Sequence, residues 1–566
     1  MKTMNNKDIP LSEYPRPQFV RDSYLSLNGL WDYAIKEDES LPELYDGKIN
    51  VPFSPETKLS GVLRNVTPKD YLFYHLEFKL EEAFIKDKVI LHFGAVDQIA
   101  EVFLNGEFLI KHIGGFTPFE VDIKPYLKET NHLVLRVKDI TDEGYYSRGK
   151  QKIKRGGIWY TPQSGIYMPV WLESVSNDYI EEVRFTPNID EKNLIIRVKT
   201  ASSFVNLSFE GKTFSIKPNE DCIIPIENMH LWSPEDPYLY ECVLRTVNDR
   251  VNSYFAMRKF STIKNENGYY CLALNNKPYF MKGVLDQGYW SDSLLTPPND
   301  EAYIKDISLV KSLGFNTIRK HIKVESLRFY YHCDRLGMIV FQDFINGGGQ
   351  YKFPTIAFPL ITNIHYKDNH YSLFARTSKE GREQFIEEAK DIVNYLYNSP
   401  CIGLWTIFNE GWGQFDSKMV YKEMLKVDNS RLYDHASGWH DQGISDVKSL
   451  HVYFKRVKAP SKKAMKNRAF LLSECGGYSL ATPNHMFSEK TFGYKTLKSS
   501  EDLVKEYEKF IKRDILPNIS KGLSGFIYTQ LSDVEDELNG FITYDRQVIK
   551  VNESDIKELN KLTDGD

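Results

Sequence analysis

The sequence predicts a multidomain protein in which two β-sandwiches precede a (β/α)₈ barrel. Its 566 residues are too many for one hydrophobic core. The first part of the chain is built of short alternating strands and turns, whereas beyond Tyr269 apolar strands alternate with amphipathic helices. Strand-only segments followed by regular β-then-α units are typical of sandwich domains joined to a barrel.

Residues 1–176 form the first predicted domain. Val89–Phe93 and Ala100–Leu104 are interpreted as adjacent strands closed by a hairpin at Asn105-Gly106, and Leu133–Val137 alternates as a further strand. No segment here has a convincing helical period, so we predict an all-β sandwich.

Residues 177–264 repeat this pattern on a smaller scale. Short alternating runs such as Asn193–Val198 and Tyr238–Thr246 indicate a second sandwich of immunoglobulin size.

Residues 265–566 are predicted to form the barrel, because eight apolar strands follow in this region with helices between them. The predicted strands are Pro278–Val284, Phe315–His321, Met338–Phe344, Gly403–Asn409, Leu432–Ser437, Leu450–Phe454, Phe470–Ser473 and Gly525–Thr529. The predicted helices include Glu301–Leu313, Val324–Leu336, Lys379–Tyr397 and Glu501–Ile515. Gly314 and Gly337 stand where a helix end favours a left-handed residue.

Composition excludes several classes of function. The formal charge of −5, with Lys and Arg spread throughout, gives no basic patch for nucleic acid or a membrane surface. The N-terminus has no apolar leader and no stretch is long enough to span a bilayer, so we expect a cytoplasmic protein. The six cysteines show no metal-ligand spacing, and we expect buried free thiols and neither a metal nor another cofactor.

Polar residues at the C-terminal ends of barrel strands are the candidates for chemistry, because the active sites of this fold lie there. These residues are Asp286, His321, Asp343, Asn409, Glu410, His435, His451 to Tyr453, Glu474 and Tyr528. Aromatic residues make up 14% of the chain, which fits either a large aromatic core or stacking platforms for sugars.

Two of these candidates are glutamates that end long apolar runs. CIGLWTIFNE ends at Glu410 and AFLLSE ends at Glu474. Each alone could cap a helix or pair with an arginine, since a carboxylate at the rim of a buried strand must be paired or used. Two on one barrel face match retaining glycosidases, which need one protonated and one ionised carboxyl group roughly 5–5.5 Å apart.

The chain resembles glycoside hydrolase family 2 nearly from end to end. The resemblance rests on motifs in family order: LNGLWDYAI (27–35), SGIYMPVWLE (164–173), LWSPEDPYLY (231–240), FMKGV (280–284), FNTIRKH (315–321), LGMIVFQDF (336–344), FNEGW (408–412) and SECGG (473–477). The family contains β-galactosidases, β-glucuronidases and β-mannosidases. The resemblance implies a sugar-binding jelly roll, an immunoglobulin-like sandwich and a catalytic TIM barrel.

The same resemblance implies roles for individual residues. Glu410 would be the general acid/base and Glu474 the nucleophile. Asn409 would hold the sugar 2-hydroxyl, and Tyr453 would hydrogen-bond the nucleophile. His321 and Tyr528 would line the sugar subsite, and Tyr528 stands where many relatives have Trp. Tyr453, His321 and Tyr528 could each instead be a packed residue of the barrel mouth.

Two departures from the family pattern bear on the substrate. Many relatives place an Asp six residues before the Gly-Ile pair that begins at Gly165, and here that position is Trp159. We interpret Asp286 as a possible replacement carboxylate.

The second departure lies in DVEDELNGFITYDR (533–546). Asp533, Glu537 and Asn539 stand where uronate-binding relatives have Arg, Asn and Lys, so a charged sugar should be repelled unless this loop turns away from it.

We therefore expect a retaining exo-β-glycosidase acting on a terminal neutral sugar in a small carbohydrate or glycoside, with β-galactosidase favoured. β-Glucuronidase, β-mannosidase and β-arabinosidase remain open, as do a non-catalytic carbohydrate-binding relative and a metal-dependent hydrolase. The aglycone, the linkage and the oligomeric state, monomer or homo-oligomer, remain open too.

Overall fold

A computed structural model describes residues 9–356, 358–362 and 364–564. Its first domain is a sandwich of a four-stranded and a six-stranded antiparallel sheet, with a third, two-stranded pairing at one end. Alternating side chains from both sheets fill the core between them. The strands are Tyr24–Ser26, Gly29–Lys36, Gly47–Val51, Tyr71–Phe78, Lys88–Phe93, Val96–Asp97, Ile99–Leu104, Glu107–Ile113, Phe119–Asp122, Asn131–Lys138, Gly165–Ile166 and Val170–Val175.

The predicted hairpin at Asn105-Gly106 is present, but it joins different strands from those expected. It pairs Ile99–Leu104 with Glu107–Ile113. Lys88–Phe93 lies in the other sheet, where it pairs with Val170–Val175. The prediction that the strands at 89–93 and 100–104 are neighbours was wrong, because the chain passes from one sheet to the other through the short strand Val96–Asp97.

The second sandwich has sheets of three and four antiparallel strands, and its core is separate from that of the first. Its strands are Ile180–Asn188, Asn193–Thr200, Val205–Phe209, Lys212–Ile216, Asp221–Pro225, Tyr240–Arg245 and Arg250–Phe255. A small sheet of Phe260–Lys264, Tyr270–Leu274 and Lys277–Pro278 leads into the barrel.

The predicted eight-stranded barrel is confirmed. Its parallel strands neighbour one another in chain order, with strands 8 and 1 paired and the ring open only between strands 5 and 6. Barrel strands 1 to 8 are Met281–Asp286, Thr317–Lys320, Ile339–Asp343, Ile402–Thr406, Leu432–Asp434, Val447–Val452, Ala469–Gly476 and Leu523–Thr529. Every residue of strands 1 to 5, 7 and 8 is buried, as expected for a parallel sheet covered on both faces.

Amphipathic helices surround the barrel. The helices are Asp300–Ser312, Leu327–Leu336, Phe353–Ile356, Phe358–Ile361, Lys379–Leu396, Ser417–Val427, Lys462–Met465, Ser500–Phe510, Leu516–Ile519 and Glu553–Lys561, with a π-helical turn at Ile511–Ile515. Two short strands, Tyr478–Leu480 and Lys495–Leu497, pair after strand 7. Among the described residues, no helix is both long and apolar enough to cross a bilayer.

The glycine predicted at a helix end fixes the contact between the second sandwich and the barrel. The Leu327–Leu336 helix ends at Gly337, whose φ is 72°. A Cβ added there would lie 2.4 Å from the Pro234 carbonyl oxygen. Only glycine therefore fits both the left-handed turn and the close approach.

An arm of the first domain, residues 147–161, lies over the mouth of the barrel. Ser147 pairs with Gly347 of the loop after strand 3, and the Arg148 N–H donates to the Asn346 carbonyl at 3.0 Å. The arm then turns back as a hairpin in which Gly156 pairs with Trp159. This arm brings residues of the first domain to the end of the barrel where active sites lie.

All six cysteines are free thiols. Five are buried, as expected, whereas Cys222 of the second sandwich is partly exposed.

Candidate active site

The structure brings Glu410 and Glu474 together at the C-terminal end of the barrel. Glu410 follows strand 4 and Glu474 lies in strand 7. One oxygen of each carboxylate lies within 4.8 Å of the other. Their exposed fractions are 8% and 4%, so the pair lies in a largely dehydrated pocket.

A strained turn aims the Glu410 side chain. Its φ is 50°, and its N–H donates to the Ser437 carbonyl at 3.0 Å. The next residue, Gly411, has φ of 73°, and a Cβ there would lie 2.5 Å from the His440 ring. The backbone after strand 4 is therefore held in a conformation that L-residues rarely adopt.

Arg319 of strand 2 connects the carboxylate side of the site. Its guanidinium donates to Asp343 Oδ1 at 3.0 Å, to Glu474 Oε1 at 3.0 Å and to Asn409 Oδ1 at 2.8 Å. The side chain is 1% exposed. One buried cation thus fixes groups from strands 2, 3, 4 and 7 relative to one another.

The surroundings of Glu474 keep it ionised. Burial alone would raise its pKa, but His451, the Arg319 charge and, in the acidic range where it is protonated, His321 bring the pKa down to about 2. The Tyr453 hydroxyl donates a hydrogen bond to Oε2. Burial and the Glu474 charge raise the pKa of Tyr453 well above its ordinary value, so Tyr453 remains a donor.

Glu410 has the opposite tendency. Burial raises its pKa, and the charge of Glu474 adds to the rise, while His451 opposes it. Arg319 makes no hydrogen bond to Glu410 within the described residues. The two carboxyl groups therefore differ in their affinity for a proton, although they lie side by side.

His451 of strand 6 lies between the two glutamates. Its Nδ1 is 2.7 Å from Glu410 Oε1, and its Nε2 is 3.6 Å from Glu474 Oε1. Ser437 Oγ lies 3.1 Å from Nε2. A ring in this position links both carboxylates and restricts their separation.

Asn409 and His321 also lie at the site. Asn409 Oδ1 is taken by Arg319, while its buried Nδ2 has no hydrogen-bond partner among the described residues. His321 Nδ1 lies 2.8 Å from Asp343 Oδ2, and burial lowers its pKa to about 4. His321 is therefore neutral near pH 7, and Asn409 has a donor available for a ligand.

Two groups of aromatic rings lie at the site. The rings of Trp159 and Trp412 lie 5.1 Å apart, and Tyr351 stacks on Trp412 at 6.3 Å. Tyr494 stacks on Tyr453 at 3.9 Å. Trp159 thus reaches the barrel mouth from the first domain, where sequence comparison expected an acid in related proteins.

Asp286 does not provide a replacement carboxylate, so that interpretation was wrong. Its Oδ2 accepts from Lys320 Nζ at 2.5 Å, and its Oδ1 accepts from the Gly288 N–H at 2.8 Å. The alternation of side chains along a strand explains the error. Arg319 points to the site, whereas the next residue, Lys320, points away from it and binds Asp286 on that side.

Tyr528 is likewise directed away from the site, contrary to expectation. Its ring stacks on Phe541 at 4.6 Å and meets Tyr507 of a surrounding helix at 5.3 Å. The next residue, Thr529, lies on the site side, with its hydroxyl 3.3 Å from the Tyr453 hydroxyl. The predicted site residue is one position too early, and consecutive residues of a strand face opposite sides.

The acidic loop after strand 8 is only partly directed at the site. Asp533 accepts from Lys550 Nζ at 2.6 Å and from the Gly540 N–H, so its charge is neutralised within the loop. Glu537 accepts hydrogen bonds from the Tyr160 hydroxyl and from Asn539 Nδ2, the latter at 3.0 Å. Of the three positions, Glu537 is the one held against the arm of the first domain.

Sequence reasoning missed Arg319 and gave His451 no role. It also missed Lys150 of the first-domain arm, whose ammonium lies 4.9 Å from the centre of the Trp412 ring. Arg319 could have been found, because it stands two residues before His321 and must face the same side of strand 2. His451 stands in the same relation to Tyr453. Lys150 carried no signal, since it comes from another domain and its position depends on long-range packing.

Comparisons with known proteins agree with this architecture. Three profiles match: "Glycosyl hydrolases family 2, sugar binding domain" at residues 49–172, "Glycosyl hydrolases family 2" at 178–258, and "Glycosyl hydrolases family 2, TIM barrel domain" at 266–487. Together they cover most of the chain.

Individual relatives are distant and carry two different names. A β-galactosidase of Thermoanaerobacter pseudethanolicus is 26% identical over 64% of this chain and 48% of its own length. A β-glucuronidase of Streptococcus agalactiae is 24% identical over 70% of this chain and 68% of its own. The chain thus spans about half the length of the first of these relatives.

Among solved structures, the β-D-glucuronidase of Dictyoglomus thermophilum superposes with a TM-score of 0.75 at 16% identity, covering 97% of this chain and 98% of that one. This likeness concerns the fold. The three successive domain matches show that the chain belongs to glycoside hydrolase family 2.

Proposed function

We propose that the chain is a retaining exo-β-glycosidase that hydrolyses a terminal sugar by double displacement. The observation that carries this proposal is a pair of carboxyl groups within 4.8 Å whose surroundings shift their pKa values in opposite directions. A short separation with one acid and one ionised carboxylate fits a covalent mechanism, because an inverting enzyme needs more room for water.

In the first step, Glu474 attacks the anomeric carbon while Glu410 gives its proton to the leaving oxygen. In the second step, Glu410 takes a proton from water, and the water displaces Glu474 from the sugar. Each step inverts the configuration at the anomeric carbon, so the two steps together retain it. Loss of the Glu474 charge in the covalent intermediate lowers the pKa of Glu410, which suits its change from acid to base.

Neighbouring residues would assist these steps. The free Nδ2 donor of Asn409 is available for the sugar 2-hydroxyl, and Tyr453 holds the nucleophile through Oε2. His321, neutral and oriented by Asp343, lines the sugar pocket. Hydrogen bonds that strengthen in the transition state would contribute to rate as well as to binding.

The leaving group has a place beside the glutamates. A cleft of about 590 Å³ is lined by residues that include Trp439, His451, Tyr453 and Phe454. His451 and Tyr453 contact Glu410 and Glu474 respectively, so the cleft adjoins the reacting atoms. Trp439 and the exposed ring of Phe454 offer aromatic surface to an aglycone, beside the basic residues Lys455, Arg456 and Lys458 that also line the cleft.

We propose a neutral terminal sugar, galactose being favoured over glucuronate, mannose and arabinose. Arg319 is already bonded to Asp343 and Glu474, and Lys150 faces the carboxylates of Glu537, Glu474 and Glu410. A uronate would add another carboxylate to this group. The names of the relatives support both a β-galactosidase and a β-glucuronidase.

Two other classes of function are less consistent with the geometry. A non-catalytic sugar-binding protein has no need for two adjacent carboxyl groups with different proton affinities. Glu410, His451 and Glu474 together could hold a metal ion, which would suit a metal-dependent hydrolase. However, the Arg319 guanidinium 3.0 Å from Glu474 would repel a divalent cation.

Substitution of the two glutamates should separate their roles. We expect Glu474→Gln to lower kcat by about 10⁴-fold or more on every substrate, because no other group can form the intermediate. Glu410→Ala should lower kcat/KM by about 10²–10⁴-fold on poor leaving groups and much less on dinitrophenyl glycosides, with partial rescue by azide. Glu383→Gln, on an exposed helix face, is the control. Equal losses on all leaving groups without rescue would contradict these roles.

His451→Asn should move the pH profile of kcat/KM to higher pH. His451 lowers the pKa of both Glu410 and Glu474, so its loss raises both. Glu474 must be ionised and Glu410 protonated, so the acidic and alkaline limbs should both shift upward. His230→Asn, in the second sandwich, is the control. A lower kcat with an unchanged profile would limit His451 to holding the carboxylates in place.

The sugar preference can be measured directly. We expect nitrophenyl β-galactoside to have a kcat/KM about tenfold or more above that of the β-glucuronide near pH 7, because a uronate would bring a further carboxylate to a mouth that already holds Glu537, Glu474 and Glu410. Both substrates should be compared on one enzyme preparation. A clear preference for the glucuronide would show that the charged groups of the mouth receive a carboxylate.

A further inference from the structure

Lys150 is a buried cation at the barrel mouth for which the steps above have no use. It belongs to the arm of the first domain and is 6% exposed. Its ammonium lies 4.9 Å from the centre of the Trp412 ring and 5.8 Å from that of Tyr160. No described residue accepts a hydrogen bond from this ammonium.

The backbone around Lys150 is anchored on both sides. Gly149 has φ of 64°, and a Cβ there would lie 3.0 Å from the Ile322 carbonyl oxygen of the barrel. The Tyr160 N–H donates to the Lys150 carbonyl at 3.0 Å. Gln151 donates through Nε2 to Asp97 at 2.6 Å. The position of Lys150 is therefore imposed by the packing of the arm against the barrel.

The ring contacts of Lys150 place its ammonium beside the candidate site, because the Trp412 ring on which it lies meets the His321 ring at 6.3 Å. Burial lowers its pKa, while the carboxylates of Glu537, Glu474 and Glu410 oppose the decrease. Its charge in turn lowers the pKa of Glu410 and of His321. The stem of Lys150 is buried, whereas its ammonium is not among the fully buried polar atoms and no described residue accepts a hydrogen bond from it; aromatic faces stabilise the charge only in part. Such a group is expected to find its acceptor on a ligand.

Resting on the proposed glycosidase function, we propose that Lys150 donates a hydrogen bond to a hydroxyl of the terminal neutral sugar and that Glu537 accepts one from a neighbouring hydroxyl. The first domain thereby completes the sugar subsite with a lysine.

Glu537 is placed to act with Lys150. The Tyr160 hydroxyl donates to its Oε2 and Asn539 donates to its Oε1, so its carboxylate is held at the Tyr160 ring that Lys150 also contacts. Each oxygen retains a further lone pair. A lysine gives only donors and a carboxylate only acceptors, and a pair of adjacent sugar hydroxyls satisfies both. The carboxylate of a uronate would accept a hydrogen bond from Lys150, but it would be repelled by the carboxylate of Glu537.

Lys150→Met tests the first half of this proposal, because methionine keeps the unbranched apolar stem and removes the charge. We expect kcat/KM for nitrophenyl β-galactoside to decrease about 10- to 100-fold, as for loss of a charged hydrogen bond. Lys154→Met, on the exposed part of the same arm, should leave it unchanged. The temperature of unfolding should be the same for both variants within a few degrees.

Monodeoxy substrates distinguish binding from support of the arm. The kcat/KM values of wild type and Lys150→Met are compared on the 3-, 4- and 6-deoxy-β-galactosides. We expect the effect of Lys150→Met to disappear on the one substrate that lacks the contacted hydroxyl, and to persist on the other two. Equal losses on all three would overturn the proposal, as would no loss on the parent galactoside.

Two controls separate this inference from the proposed function. Covalent labelling of Glu474 by a 2-deoxy-2-fluoro galactoside in wild type tests the proposed glycosidase function. The result does not depend on the role of Lys150. If no galactoside is cleaved, calorimetric binding of galactose to wild type and Lys150→Met still tests the contact, and equal affinities would overturn it. A loss confined to the β-glucuronide would show that Lys150 receives a carboxylate, which also overturns the proposal.

Discussion

The site depends on the burial of the Arg319 guanidinium. A cation that is 1% exposed is stable only if its donors are matched, and here Asp343, Glu474 and Asn409 match them together with the Ser473 carbonyl. These partners belong to different barrel strands, so one interaction fixes the relative positions of groups that are far apart in sequence. Removing any partner would leave a donor of the buried guanidinium without an acceptor, which is why these positions constrain one another.

The different roles proposed for the two glutamates follow from this arrangement. Arg319 bonds to Glu474 and makes no described hydrogen bond to Glu410, so one carboxylate has a cation at hydrogen-bond distance while the other has burial and a negative neighbour. His451 lies between the two carboxyl groups and lowers the pKa of both. The proposed acid and the proposed nucleophile are thus distinguished by their partners, although both are glutamates at the rim of the same barrel.

The sequence allowed prediction of what depends on local pattern. Apolar runs and glycines at helix ends located all eight barrel strands, and the runs ending at Glu410 and Glu474 identified both carboxylates. Errors arose where one residue changes the face of a strand, as for Asp286 and Tyr528. Lys150 and the pairing of Asp533 with Lys550 could not be predicted, because both depend on how distant segments pack.

The most direct test of this account is the stereochemistry of the first-formed product. Hydrolysis of a β-glycoside should be followed by proton NMR from the first minutes, before mutarotation equilibrates the anomers. Two carboxyl groups within 4.8 Å predict that the β-anomer appears first. An initial α-anomer would require direct attack by water and would contradict the assignment of Glu474 as nucleophile.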